Sequence, residues 1–216
     1  MKRLLALAVP LAVSLIGCGQ MRNGGELRLK HEVTVATPEG ERTFTSVVSM
    51  DAYQRYNYHP GGSGWGGIAC RLTGSAVRMP VGDKDFFFLL DKGSTPAWDQ
   101  IELIKEFFGL PNATDDDSWV ERWKTLAKSN LAVPVPRDAY PQIAVMPSGG
   151  TMDEARKISL DEAEAQGLRI IRYRLQITRE AVGANPPYEV RFNPPKEKHS
   201  FGRIGRESFT VVDGAS

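Results

Sequence analysis

Apolar and polar residues alternate strictly between Glu26 and Ala36. Leu27, Leu29, His31, Val33 and Val35 fall on one side, and Arg28, Lys30, Glu32 and Thr34 on the other. A period of two sends successive side chains to opposite faces of an extended chain, so this segment predicts a strand with one buried face. Thr37-Pro38-Glu39-Gly40 follows, with proline second and glycine fourth, as a type I turn prefers. The β-branched run "RTFTSVVSM" behind it predicts the returning arm of a hairpin. Residues 51–67 break the alternation with glycines and aromatics and read as a long loop. Residues 68–81 predict a strand bent or bulged near Gly74. "FFFLL" at 86–90 has no polar face, which predicts a strand covered on both sides.

The period then lengthens. Thr95-Pro96 opens a helix in which Trp98, Ile101, Ile104 and Phe108 form the apolar stripe, widened by Leu103 and Phe107; Gly109-Leu110-Pro111 stops it. A second helix starts at Ser118, with Glu121 completing a capping box and Trp119, Trp123 and Leu126 as its buried stripe. "YPQIAVM" predicts a short strand, and Ser159-x-x-Glu162 caps a short third helix that ends at Gly167. Residues 168–178 alternate again, placing Ile171, Tyr173, Leu175 and Ile177 inward and Arg172, Arg174 and Gln176 outward. The tail from Ala184 is proline-rich and basic, with edge strands expected at 188–192 and 208–212. The fold class is therefore α+β: a largely antiparallel sheet with an inserted two-helix element and a short third helix.

The first residues are of another kind. Met1-Lys2-Arg3 is basic, and Leu4 to Ile16 is an apolar run of about 13 residues, too short to cross a ~30 Å hydrocarbon core. Leu15-Ile16-Gly17-Cys18 resembles the bacterial lipobox, in which a peptidase cuts before a cysteine that already carries diacylglycerol. The resemblance implies a signal peptide over 1–17, a lipidated tether over 18–25, and Cys18 as the lipidation site. Gly19, rather than Asp, implies delivery to the outer membrane with the body facing the periplasm. One acyl chain holds a protein only marginally, whereas two or more anchor it stably, at ~0.8 kcal/mol per buried methylene.

Composition narrows the possibilities further. Cleavage removes Lys2 and Arg3, leaving 25 basic against 26 acidic residues and a formal charge of −1 over 199 residues. Nucleic-acid binding calls for a concentrated basic field, and the overall balance speaks against it. With Cys18 lipidated, Cys70 has no partner within the chain, so the fold relies on its apolar core. The organisation expected is a globular domain over 26–182 and a basic C-terminal segment over 183–216.

Several runs, in order, are similar to a group of small proteobacterial lipoproteins. They are Thr34-Val-Ala-Thr-Pro-Glu-Gly40, Gly74-Ser-Ala-Val77, Phe86-Phe-Phe-Leu-Leu90, Tyr140-Pro-Gln-Ile-Ala-Val145, Ile158-Ser-Leu-Asp-Glu-Ala163 and Leu175-Gln-Ile-Thr-Arg-Glu180. The resemblance implies one integral domain over most of 26–182 and a lipid anchor. It assigns no activity, cofactor or residue role, and residues 184–216 depart from it.

Candidate chemistry is concentrated in "YQRYNYHPGGSGWGG" at 53–67. Tyr53, Tyr56, Tyr58 and Trp65, with His59 among them, suit stacking on sugar rings of an envelope glycan or contact with an envelope protein; pinning a loop to its own domain is the structural alternative. Arg172, Arg174, Lys196 and Lys198 are candidates for anionic headgroups, since residues 168–216 hold nine basic against five acidic residues. His31, His59 and His199 show no metal-ligand spacing, and Asp115-Asp116-Asp117 lacks the glycine and terminal glutamate of a calcium loop. No serine-nucleophile or phosphate-loop motif occurs, so neither catalytic residues, metal nor cofactor is expected. The function expected is a membrane-anchored, non-catalytic binding or scaffold module of the cell envelope. The alternative is a hydrolase of envelope glycans or peptides with its site near the 53–67 loop.

Overall fold

The alternating segment becomes the middle of a sheet. The computed structural model describes residues 21–59, 62–92, 96–112, 118–151, 154–183 and 210–211, with side chains described throughout except at 21, 55–59, 62–66 and 210–211. Strand β1 (Met21–Thr37) pairs antiparallel with β2 (Gly40–His59), from Met21 opposite Arg55 to Thr37 opposite Gly40. The expected turn closes this hairpin, with the Thr37 hydroxyl donating to the Gly40 carbonyl at 2.8 Å. Leu27, Leu29, His31, Val33 and Val35 are all buried, as the period of two requires.

Strand β3 (Gly62–Ser75) returns along β2, and the chain then passes through Ala76 into β4 (Val77–Val81). Gly74, the expected bend, is where the chain leaves one sheet for another. The first sheet takes the order β10-β3-β2-β1-β9-β6 and the second β4-β5-β7-β8. Here β5 is Lys84–Phe88, β6 Ala132–Pro134, β7 Ile143–Pro147, β8 Arg156–Ile158, β9 Arg169–Thr178 and β10 Thr210–Val211. All the pairings are antiparallel. Helices α1 (Pro96–Phe108), α2 (Ser118–Ala127) and α3 (Leu160–Ala165) complete the expected α+β class. The Ser159 hydroxyl caps α3 by accepting from the Glu162 amide at 3.1 Å.

One apolar cluster joins the inner faces of both sheets to α1 and α2. Phe86 and Phe88 point into it, whereas Phe87 and Leu89 join Ala76, Ala144 and Met146 in a second cluster on the other face of β5. The unbroken apolar strand is thus covered on both sides. Tyr173 ties the sheets together, edge-on to Phe88 at 5.3 Å and to Tyr140 at 5.5 Å between ring centroids.

Four expectations need correction. Residues 21–25 belong to β1 rather than to a tether, because Trp123 of α2 packs on Gly24 and its indole Nε1 donates to the Gly25 carbonyl at 2.8 Å. Residues 53–59 and 62–67 are strand rather than loop, since β2 and β3 pair as far as His59 opposite Gly62. Ile171 is exposed and Ile170 buried, because the register steps from Arg172 opposite Thr34 to Ile170 opposite Val35. Skipping Ile171 forms a bulge that exchanges the two faces. Trp98 is 47 % exposed, because the buried arc of α1 is centred on Gln100, Ile104 and Leu103, away from its side. Asp115 to Asp117 and the strand expected over 188–192 lie outside the described residues. Thr210–Val211, pairing with Ser75 and Gly74, falls within the other expected edge strand.

Candidate functional site

The aromatic segment forms the far end of the long β2–β3 hairpin. Because Met21 is already opposite Arg55, the pairs Tyr56–Trp65, Asn57–Gly64, Tyr58–Ser63 and His59–Gly62 extend beyond the start of β1. The result is a two-stranded arm projecting from the sheet end at which the described chain begins. Its register has a simple composition. Tyr56 and Trp65 are partners and Tyr58 is opposite Ser63, whereas Arg55, Asn57 and His59 are each opposite a glycine. Tyr53 sits at the root of the arm, half-buried and opposite Ala69. Gly67, at φ +69°, supplies the extra residue where the register shifts between Gln54 and Arg55, a backbone conformation that suits glycine. The sequence therefore located the segment, but the arm and its position beside Met21 come only from pairing.

The arginines of β9 lie elsewhere. Arg172 and Arg174 are exposed on the sheet face turned away from the core, opposite Thr34 and Glu32. Arg174 lies 3.7 Å from the Glu32 carboxylate. Lys196 and Lys198 lie outside the described residues, as does Cys18.

His31 is taken up by the core. Its Nε2 is 3.0 Å from Gln100 Oε1, and its Nδ1 is 2.7 Å from the Tyr173 hydroxyl. Gln100 Nε2 donates to the Leu90 carbonyl at 2.9 Å, which turns the amide oxygen towards His31. The neutral ring therefore donates from Nε2 and accepts from Tyr173 at Nδ1. Burial pushes the imidazole down to about 4, against the raising effect of the Gln100 hydrogen bond. Burial also raises the Tyr173 hydroxyl. This relay spans β1, α1 and β9, and its polar member Gln100 gave no signal in a helix read by its apolar stripe. Cys70 packs against the main core, and burial, with the nearby Asp51 charge, pushes its thiol up to about 12.

Arg137 separates two open clefts of about 450 and 350 Å3, the first reaching Arg169 and Ile171, the second Lys92, Tyr140 and Ser159. Its guanidinium is held by Glu164 at 2.8 Å and lies 3.8 Å from Asp161, so Arg137 itself is already engaged between the two clefts. Among the described residues no group of three His, Cys, Asp or Glu side chains is arranged to hold a metal ion. No helix of the described residues is long and apolar enough to cross a membrane.

No family model matches this chain, and no similar protein was found among curated sequences or solved structures.

Proposed function

We propose that this chain is a lipid-anchored protein of the bacterial cell envelope, attached through Cys18 and facing the periplasm from the outer membrane. Its folded body acts as a non-catalytic binding or scaffold module. The observation that carries this reading is Leu15-Ile16-Gly17-Cys18 at the end of a short apolar run behind Lys2 and Arg3. On this reading β1, which begins at Met21, three residues past the cysteine, holds the body close to the bilayer. The surface offered to the envelope is the aromatic β2–β3 arm, where the Tyr56–Trp65 pair and Tyr58 occupy alternate register positions.

The test compares the full chain with Cys18→Ser in a cell that processes lipoproteins. The expected result is a shortened chain in the membrane fraction whose amino-terminal peptide carries acyl mass, with Cys18→Ser unprocessed and without that mass. Identical size and fractionation of the two chains would overturn the anchor. Pull-down from solubilised envelopes tests the module: the wild-type chain should enrich an envelope protein or glycan, and enrichment no greater than that of an unrelated lipoprotein would overturn it.

A further inference from the structure

We infer that the β2–β3 arm, the strand pair that carries Tyr56, Tyr58 and Trp65, is a membrane-interface contact that rests on the bilayer in which Cys18 is anchored. The inference rests on the lipoprotein reading and adds an orientation of the body, with a lipid surface as the partner of the arm.

The argument is one of reach. Three residues separate Cys18 from Met21, and a fully extended chain covers at most ~3.6 Å per residue, so Met21 stays within about 11 Å of the lipidated cysteine. Met21 is paired with Arg55, and β2 runs four residues further, to His59. At ~3.4 Å per residue the arm projects about 14 Å past that pair. With the strands along the membrane normal, the arm is at least as long as the tether, so its end meets the plane of the anchor. The opposite orientation fails, because β1 runs away from the arm for 17 residues, ~55 Å of sheet, and pointing the arm outward drives that sheet into the bilayer. A body lying flat keeps the arm alongside the surface. Every permitted orientation brings the arm to the headgroups.

Its composition fits that place. Tyrosine and tryptophan concentrate where one end of a side chain is apolar and the other wet. Residues 54–67 contain no carboxylate, and their basic groups are Arg55 and His59, so an anionic surface meets no repulsion there at neutral pH. Strong anchoring belongs to the lipid chains; the arm sets how the body stands on the membrane.

The experiment uses the mature full chain purified from membranes and reconstituted into mixed phosphatidylcholine–phosphatidylglycerol vesicles whose acyl chains are brominated near the headgroup. Bromine quenches tryptophan fluorescence at short range. Trp119 and Trp123 are buried in the protein core, and Trp65→Phe keeps every tryptophan except the one in the arm. The expected result is quenching of the wild-type chain by brominated lipid, with the Trp65 share of that quenching lost in Trp65→Phe. Mass spectrometry of the amino terminus is read on the same sample. A lipidated chain whose quenching is unchanged by Trp65→Phe overturns the arm contact and leaves the anchor standing. A chain with an unmodified Cys18 overturns both.

Discussion

Trp123 and Gly24 are in direct contact: a Cβ built on Gly24 would lie 2.7 Å from Trp123 Cδ1, closer than carbon atoms pack. The same indole donates from Nε1 to the Gly25 carbonyl at 2.8 Å and stacks on Trp119 at 5.3 Å. Helix α2 thereby holds the first residues of β1 in the sheet. Gly24→Ala should cost about 1–3 kcal/mol by overpacking against a ring that cannot move aside. Gly25→Ala meets nothing within 4 Å but sits at φ +79°, so its cost should be smaller, about 1 kcal/mol of backbone strain. Urea unfolding of the two variants side by side checks the order.

The buried relay makes stability depend on pH. In the folded chain His31 is held neutral down to about 4, against ~6.5 when unfolded. Between these values the unfolded chain binds the extra proton, so this group's contribution is complete above about pH 6.5. It declines as the pH falls towards 4 and changes no further below that, a total of about 3 kcal/mol. His31→Gln should remove this component while leaving the exposed carboxylates to titrate as before. The difference between the two stability–pH curves, measured by urea unfolding, is the readout.

Tyr173→Phe tests the same relay from its other end. It deletes the donor to His31 Nδ1 and leaves a buried acceptor without a partner, a loss of about 1–3 kcal/mol. The ring contacts with Phe88 and Tyr140 survive, so the transition should remain cooperative at a lower urea midpoint.

Gly74 marks the crossing between sheets. Its φ is +149°, and a Cβ there would stand 2.7 Å from Val48 Cγ1 and 2.9 Å from Val48 Cα. The second neighbour is backbone and cannot rotate away. Gly74→Ala should therefore cost about 2–4 kcal/mol, combining overpacking with strain, and lower the thermal midpoint accordingly.

The Cys70 thiol should be inert in the native state. With its ionisation pushed up to about 12, at neutral pH it carries roughly three-thousandfold less thiolate than a free cysteine of pKa ~8.5. A disulfide reagent added to the Cys18→Ser chain should label Cys70 at least about a hundredfold more slowly in buffer than in urea.

The local rules were legible along the chain. Alternation at 26–36 announced β1, Thr37 to Gly40 its turn, "FFFLL" a strand with two covered faces, and Ser159-x-x-Glu162 the cap of α3. Each depends on neighbours within a few residues, where backbone geometry dictates the period and the capping partners. Tertiary structure decided the rest. A bulge at Ile171 exchanged the two faces of β9, which depends on pairing with β1 and not on β9 itself. Gln100 took the centre of the buried arc of α1 in place of an apolar residue, because its amide bridges His31 and the Leu90 carbonyl, neither adjacent in sequence. The glycine–aromatic run lost its alternation and so read as loop, yet long-range pairing made it an arm. Short-range physics chose the elements; contacts between residues far apart in the chain, which no local window contains, chose their partners, their faces and the end of the sheet at which the aromatic arm stands.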